Sequence, residues 1–391
     1  MATLYSNIAS LITCSDEGLG ALGEIRNASL VVENGRIVWL GEQHDSPACD
    51  EMVDCELGTV IPGFVDSHAH LVFAGDRAAE FEARMNGDAY AAGGIRTTVN
   101  ATRQSSIDDL TRNMKSLVDE MHAAGITTFE SKSGYGLSLE TERLSLEVAG
   151  QFTDEVTNLA AHVVPPEFKD NFDGYLAEVI APSLSRDLHR WVDVFCDRGA
   201  FTIEQTRQIF TAALAQGCEL RLHAQQLEHS NSIQLVEEFD IASVDHCTHM
   251  SDHDLELMAS TSTVATLLPG AEFSTRAQYP DARRFDSAGV PLAIATDCNP
   301  GSSFTTSMAF CLAVAVRDMR FTPEQALLAA TRGGAQALRR TDVGHLTVGG
   351  RANFVRLSSP SYLHMMYRPG VPLVSETVID GHTIYRRNNV A

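Results

Sequence analysis

The sequence predicts an α/β chain built on one (β/α)8 TIM-like barrel, with a small β-sandwich domain formed by both termini. Two observations carry this. From Ile61 to Asp297 one grammar repeats: a short apolar strand, a polar loop at its end, an amphipathic helix, then a glycine before the next strand. Such βα repetition favours a parallel sheet. Outside that stretch the pattern changes to strands and hairpins, and neither end offers enough strands for a core of its own. Residues 1–58 and 345–391 are therefore expected to pair into one β domain, leaving 59–344 to the barrel. A chain of 391 residues accommodates a barrel of about 250 residues and an appendage.

In chain order, ASLVVENGRIVWLGE reads as a hairpin turning at Asn34-Gly35, a pair that tolerates the positive φ angles of a type I′ turn. Eight candidate strands follow: IPGFVDSHAH, ITTFESKSG, NLAAHVV, WVDVFCD, LRLHAQQ, ASVDHC, TVATLLPG and PLAIATD. Helix starts between them pair a capping residue with a polar partner three positions on: Ser106 with Asp109, Thr202 with Gln205, Ser251 with Asp254, Thr322 with Gln325. After the first, Leu110, Met114, Leu117 and Met121 share one helix face, and Gly125 ends the helix. HLTVGGRANFVRLSS and VSETVIDGHTIYRR read as closing hairpins that turn at Gly349-Gly350 and Asp380-Gly381.

A formal charge of −22 excludes a general nucleic-acid or anionic-membrane binder, because phosphate recognition needs a basic face. A small anionic substrate stays open if a local cation receives it. Eight cysteines without a CxxC pair indicate neither a disulfide framework nor a cysteine zinc site. The N-terminal stretch has no basic segment followed by a long apolar one, so a cytoplasmic location is expected.

Active sites of βα barrels are built at the C-terminal ends of the strands. Strand one ends with His68 and His70, strand three with His162, strand five with His223, strand six with His246 and strand eight with Asp297. Side chains two apart on a strand point the same way, so His68 and His70 converge. Neutral imidazoles plus a carboxylate suit zinc, with iron or manganese compatible and calcium or magnesium disfavoured. Cys247 and Cys298, each next to one of these polar residues, should face the helix layer and pack.

His68-Ala69-His70, His223, His246 and Asp297, with β strands from both termini, resemble the amidohydrolase superfamily. PGFVDSHAHLVFAGDR, ESKSGYGLSLETE, AAHVVPPEFK, LRLHAQQL, LLPGAEF and ATDCNPGSS are similar, more specifically, to the imidazolonepropionase family of histidine degradation. The resemblance implies hydrolysis of 4-imidazolone-5-propanoate to N-formimidoyl-L-glutamate. It also implies one divalent metal per chain, zinc or iron, held by His68, His70, His223 and Asp297. Substrate positions carry over to Arg77, Tyr135, His162, Gln226, Asn299, Gly301 and Ser302. A homodimer is a further implication.

Within that frame, His246 is expected to hydrogen-bond the attacking water and help stabilise the oxyanion, and Asp297 to relay a proton to the departing ring nitrogen. Gln226 stands where other family members carry glutamate. It has no carboxylate to act as base, so it either orients water or ring by hydrogen bonding or serves as a packing amide. Arg77 offers a fork for the propanoate carboxylate, although a lone arginine is more often a surface ion pair. Tyr135, between two glycines, adds a phenol, while Asn299 and Gly301 also read as turn-shaping residues. Lys132 raises a carbamylated, two-metal centre as an alternative; in the superfamily that bridge comes from another strand, which favours one metal. Asn353 replaces a usual aspartate far from the expected mouth. Two competitors share parts of the pattern: a deaminase of a heterocyclic base, which gives no reason for Arg77 with Tyr135, and a metal-free binding module, which would have lost ligands.

Overall fold

The structure, a computed structural model, describes residues 1–15, 18–87 and 94–387. The last four residues of the expected β domain, 388–391, lie outside the described residues. The chain forms two compact units, residues 1–66, 119–128 and 306–391, and residues 67–118 and 129–305.

The first unit holds a mixed sheet. Its strands are β1 (Ala2–Ile12), β2 (Glu24–Glu33), β3 (Arg36–Glu42), β4 (Glu51–Asp54) and β5 (Thr59–Pro62), then, after the barrel strands, β14 (Phe354–Leu357), β15 (Val374–Ile379) and β16 (His382–Arg386). They run in the order β16-β15-β14-β5-β1-β2-β3, with β4 against β1. The sandwich is this one sheet curled on itself. Leu30 and Ile37 from one end share a buried cluster with Phe354 and Val378 from the other. The expected turns are present, with φ of 50° and 76° at Asn34-Gly35 and 48° and 75° at Asp380-Gly381. The hairpin expected at Gly349-Gly350 is not formed. The Gly349 N–H donates to the Ile37 carbonyl at 2.7 Å, and the Ile37 N–H to the Gly350 carbonyl at 3.0 Å. With those groups engaged on β3, only the arm Phe354–Leu357 becomes a strand.

The barrel strands are β6 (Phe64–Asp66), β7 (Ile126–Lys132), β8 (Glu155–Ala161), β9 (Trp191–Cys196), β10 (Glu219–Ala224), β11 (Ile241–His246), β12 (Val264–Leu267) and β13 (Leu292–Ile294). They follow one another in sequence order around the sheet, and every neighbouring pair with a recorded register from β7 to β13 is parallel. All eight strands read from the sequence are there. The first is shorter than expected and split at Gly63: Thr59–Pro62 belongs to the curled sheet and Phe64–Asp66 to the barrel. A side chain at Gly63 would meet Thr127 Oγ1 at 2.1 Å, so the changeover requires glycine. His68 and His70 therefore lie beyond the strand end. Their backbone is held instead by a parallel bridge between Ala69 and Cys298, with His70 N–H to the Cys298 carbonyl and Asp297 N–H to the His68 carbonyl, both 2.9 Å.

The four helix starts hold. Thr202, Ser251 and Thr322 each close a reciprocal capping box with the residue three on, and Ser106 Oγ accepts from Asp109 N–H at 3.2 Å. Leu110, Met114, Leu117 and Met121 are all buried. Among the described residues, no helix is long and apolar enough to cross a membrane.

Candidate metal centre and substrate pocket

Four side chains bring one donor atom each to a single point in the second unit. His70 Nε2 lies 3.3 Å from His68 Nε2 and 3.4 Å from His223 Nε2. Asp297 Oδ1 lies 3.5 Å from both His68 Nε2 and His70 Nε2. Separations of 3.3 to 3.5 Å between neighbouring donors suit a first-row divalent ion, whose bonds to imidazole nitrogen or carboxylate oxygen are about 2.1 Å long. Three imidazole lone pairs turned inward at this spacing repel one another unless a cation lies between them. The donor set thus fits a first-row divalent ion, which these four residues could hold. His246 ranges alongside, close enough for His68, His223 and His246 to form a second possible ligand group.

Burial pulls His68, His70 and His223 well below the ordinary histidine value, with Lys132 adding to the effect on His68 and His223 and the neighbouring imidazoles on His70. They are neutral, the state in which imidazole ligates. Burial likewise brings His246 and His162 down to about 4. It pushes the Asp297 carboxyl well up, the direction a bound cation reverses.

The backbone carries the site in an unusual way. Gln225, His246, Cys247 and Asp297 have φ of 62°, 81°, 57° and 50°. Left-handed backbone at non-glycine residues is costly and collects at functional sites. Cys247 and Cys298 are fully buried, as expected of packing residues, and the eight cysteines are free thiols.

Beside the donors, one pocket is lined by His70, Arg77, Tyr135, His162, His223, Gln226, His246, Asp297, Asn299 and Ser302, with Ile95, Val163 and Phe195 as apolar walls. Of the residues singled out in the sequence, His68 and Gly301 do not line it. His68 lies with Nε2 against His70, and Gly301 packs on the Arg77 guanidinium. Arg77 is buried, and Glu80 holds its Nε at 2.9 Å and one terminal nitrogen at 2.5 Å. It is not the surface pair that a lone arginine suggests. The His162 ring nitrogen Nδ1 lies 3.0 Å from the Gly134 carbonyl, a geometry in which Nδ1–H donates and Nε2 is left to accept. Asn299 Oδ1 accepts from the N–H groups of Gly301 and Ser302, both at 2.8 Å, so it builds the turn that presents them. Ser302 Oγ donates to Asp297 Oδ2 at 3.3 Å. Asp197 holds the backbone N–H groups of Gln226 and Leu227 at 2.8 and 3.0 Å.

The sequence profile of the amidohydrolase family matches residues 59–384. An imidazolonepropionase of Streptomyces griseus is 53% identical over 387 residues, spanning 98% of this chain and 99% of the relative. One from Mycolicibacterium smegmatis is 53% identical over 391 residues, spanning 99% and 98%. The chain belongs to the imidazolonepropionase family of amidohydrolases. Among solved structures, a triazine hydrolase variant superposes with a TM-score of 0.76 at 16% identity, covering 100% of this chain and 96% of that one. An adenosine deaminase from Xanthomonas campestris with bound zinc gives 0.71 at 17%, covering 97% and 92%. At that identity the likeness is one of fold.

This imidazolonepropionase-family chain also carries supporting residues, Asp193, Asp245 and Glu142 among them, that the sequence did not single out. Asp245 Oδ2 sits 2.7 Å from His68 Nδ1 and Asp193 Oδ2 sits 2.9 Å from His223 Nδ1. The first pair is a hydrogen bond, and a carboxylate so placed behind an imidazole fixes the ring and leaves Nε2 facing the centre; the second is a close approach without hydrogen-bond alignment. Burial alone would raise the Asp245 carboxyl; Arg221 and then Lys132 hold it below its usual range. Lys132 is an ion-pair partner inside the barrel, 2.7 Å from Glu130 and 2.8 Å from Asp193. Glu142 accepts from the backbone of Gly134, Gly136 and Leu137 at 2.9, 2.9 and 2.6 Å and so shapes the loop that carries Tyr135.

The signal for several of these was present. Glu130, Lys132, Asp193, Arg221 and Asp245 are charges inside strands otherwise composed as doubly buried, where a charge has to be paired.

Proposed function

We propose that this chain is a hydrolase of the cyclic amide in 4-imidazolone-5-propanoate, giving N-formimidoyl-L-glutamate in histidine degradation. The observation that carries the reading is one pocket combining the donor group of His70, His223 and Asp297 with a buried arginine and a tyrosine. It is joined by 53% identity to an imidazolonepropionase over 98% of the chain. A heterocycle deaminase would need the donors but not a committed carboxylate receptor.

His68, His70, His223 and Asp297 would hold one divalent ion, zinc ahead of iron, which when bound lowers the pKa of a water to about 7 and polarises the substrate carbonyl. Arg77 receives the propanoate, its guanidinium kept in place by Glu80. Tyr135 and His162 orient the ring by hydrogen bonding, with His162 Nε2 as acceptor. Gln226 presents an amide rather than a base. His246, neutral and with its Nδ1 unpartnered, accepts a hydrogen bond from the attacking water on its bare ring nitrogen or donates its ring N–H to the oxygen of the tetrahedral carbon. Asp297 takes the proton that the water loses as its oxygen bonds to the ring carbonyl carbon, and hands it to the ring nitrogen as the carbon–nitrogen bond breaks. Ser302 steadies the second carboxylate oxygen of Asp297 meanwhile.

The test joins metal analysis of the purified protein to the ultraviolet absorbance of imidazolone propanoate. The expected result is one tightly held ion per chain and loss of absorbance without ammonia release. Two ions per chain, full turnover after metal removal, or inertness toward this substrate would overturn the proposal.

A further inference from the structure

One side chain beneath the candidate metal centre reaches three carboxylates that support it. Lys132, the last residue of β7, has no solvent exposure. Its Nζ lies 2.7 Å from Glu130 Oε1, 2.8 Å from Asp193 Oδ2 and 3.9 Å from Asp245 Oδ2. Each of these carboxylates holds a different piece of the donor set. Asp245 Oδ2 faces His68 Nδ1 at 2.7 Å, and Asp193 Oδ2 faces His223 Nδ1 at 2.9 Å. Glu130 Oε2 accepts the backbone N–H of Ala69, the residue between His68 and His70, at 3.1 Å. The Lys132 N–H itself donates to the Ala69 carbonyl at 3.0 Å.

We infer that Lys132 is a positioning residue for the metal-holding set. Its ammonium gathers three carboxylates, and these set the rings of His68 and His223 and the peptide that spaces His68 from His70. The inference rests on the reading of His68, His70, His223 and Asp297 as ligands.

The physical argument concerns repulsion and direction. Three carboxylates grouped inside a barrel repel one another, and each would turn away from its neighbours if the shared cation were lost. Arg221 supports Asp245 at 3.5 Å and the Ser67 carbonyl at 2.6 Å, whereas Lys132 Nζ lies within hydrogen-bond distance of both Glu130 and Asp193. An ammonium is a compact charge with three donors, suited to acceptors on several sides, whereas a guanidinium presents a flat fork. Together with Arg221 on the same carboxylate, Lys132 acts through Asp245 to keep the His68 proton on Nδ1 and the lone pair of Nε2 turned to the centre. Acting through Glu130, it holds the backbone that sets the separation of the two histidines of the His-x-His pair.

The test compares the parent with Lys132→Met, which keeps the length of the side chain and removes its charge, and with Lys132→Arg. Zinc-loaded protein is equilibrated against a chromophoric chelator. Lys132→Met is expected to hold zinc roughly 10- to 100-fold more weakly, the usual effect of losing support behind metal ligands, and Lys132→Arg to recover part of that. In protein labelled with 15N-histidine and stripped of metal, His68 of the parent is expected as the Nδ1–H tautomer, and His68 of Lys132→Met as a mixture. A role confined to packing would lower the melting temperature and leave the tautomer unchanged, which overturns the inference. So does parental zinc affinity in Lys132→Met. If that variant does not fold, Lys132→Gln takes its place in both measurements with the same outcomes decisive, and a His68 proton on Nε2 in the parent overturns the inference on its own. A parent that binds no zinc removes the ligand reading itself, whereas a parent and variant that bind equally well remove only the role of Lys132.

Discussion

Gly301 leaves Arg77 just enough space, since a Cβ at that position would lie 2.2 Å from a terminal nitrogen of the Arg77 guanidinium. Arg77 has little freedom to yield. Glu80 holds it through two nitrogens, and the side chain is buried. Arg84 meanwhile ties the Gly301 carbonyl at 2.8 Å. Gly301→Ala should therefore displace the guanidinium and lower kcat/KM on imidazolone propanoate by roughly a hundredfold, the scale of an ångström-level misplacement. Metal content should stay at the parental level. Unchanged kinetics would show that the carboxylate is held elsewhere.

Removing the receptor directly gives a sharper test of substrate identity. Arg77→Met should lower kcat/KM by roughly 10- to 150-fold, the scale of a lost charge-assisted contact, with metal and fold retained. Arg77→Lys should restore part of this, because the charge returns without the planar fork. The defect should nearly vanish on a ring substrate without the carboxylate, which never made the contact. An equal loss on both substrates would turn Arg77 into a residue that shapes the pocket.

The barrel was legible because each strand is an apolar run ending in a polar residue, and the capping pairs mark the helices between. What the alternation rule could not show is that β6 stops at Asp66. His68 and His70 share a face through the bridge at Ala69 and Cys298, a contact between residues 229 positions apart in sequence. The expected hairpin at Gly349-Gly350 failed for a related reason, since local turn residues compete with distant backbone partners and here Ile37 wins. The change at Asn353 proves to be structural. Its amide oxygen accepts the Asp380 N–H at 2.7 Å, a task a carboxylate oxygen performs equally well. Among the site residues, donors at strand ends could be read one strand at a time. Asp193 and Asp245 could be seen to need partners but not which, because that depends on which imidazole stands beside them.

His246 lies near enough to the donors to be counted among them, and chemistry separates the two roles. As a partner of the attacking water, His246→Ala should keep its metal and lose roughly two to four orders of magnitude in turnover. His68→Ala and His70→Ala should lose the metal while the barrel stays folded, because a ligand is gone and the strand hydrogen bonds are not. Metal content and rate are to be measured on the same preparations. Metal loss in His246→Ala would make it a ligand.

Glu272 gives a prediction about stability rather than turnover. It is 2% exposed, accepts from Thr248 Oγ1 at 2.7 Å, and its other oxygen is buried without a partner. Burial pushes its carboxyl up to about 7 from 4.5. A raised carboxyl pKa means that the folded chain holds this proton more tightly than the unfolded chain does. The resulting stabilisation is full below the unfolded pKa, falls as pH rises beyond it, and is gone once pH has passed the folded value. The loss is on the order of 3 kcal/mol. Glu272→Gln keeps an oxygen for Thr248 and removes the titration. Denaturant unfolding of parent and variant should agree most closely near pH 4.5 and diverge up to about pH 7.5, with the variant the more stable at the upper end. Parallel curves across that range would mean that Glu272 stays ionised in the folded chain, with its second oxygen satisfied by water.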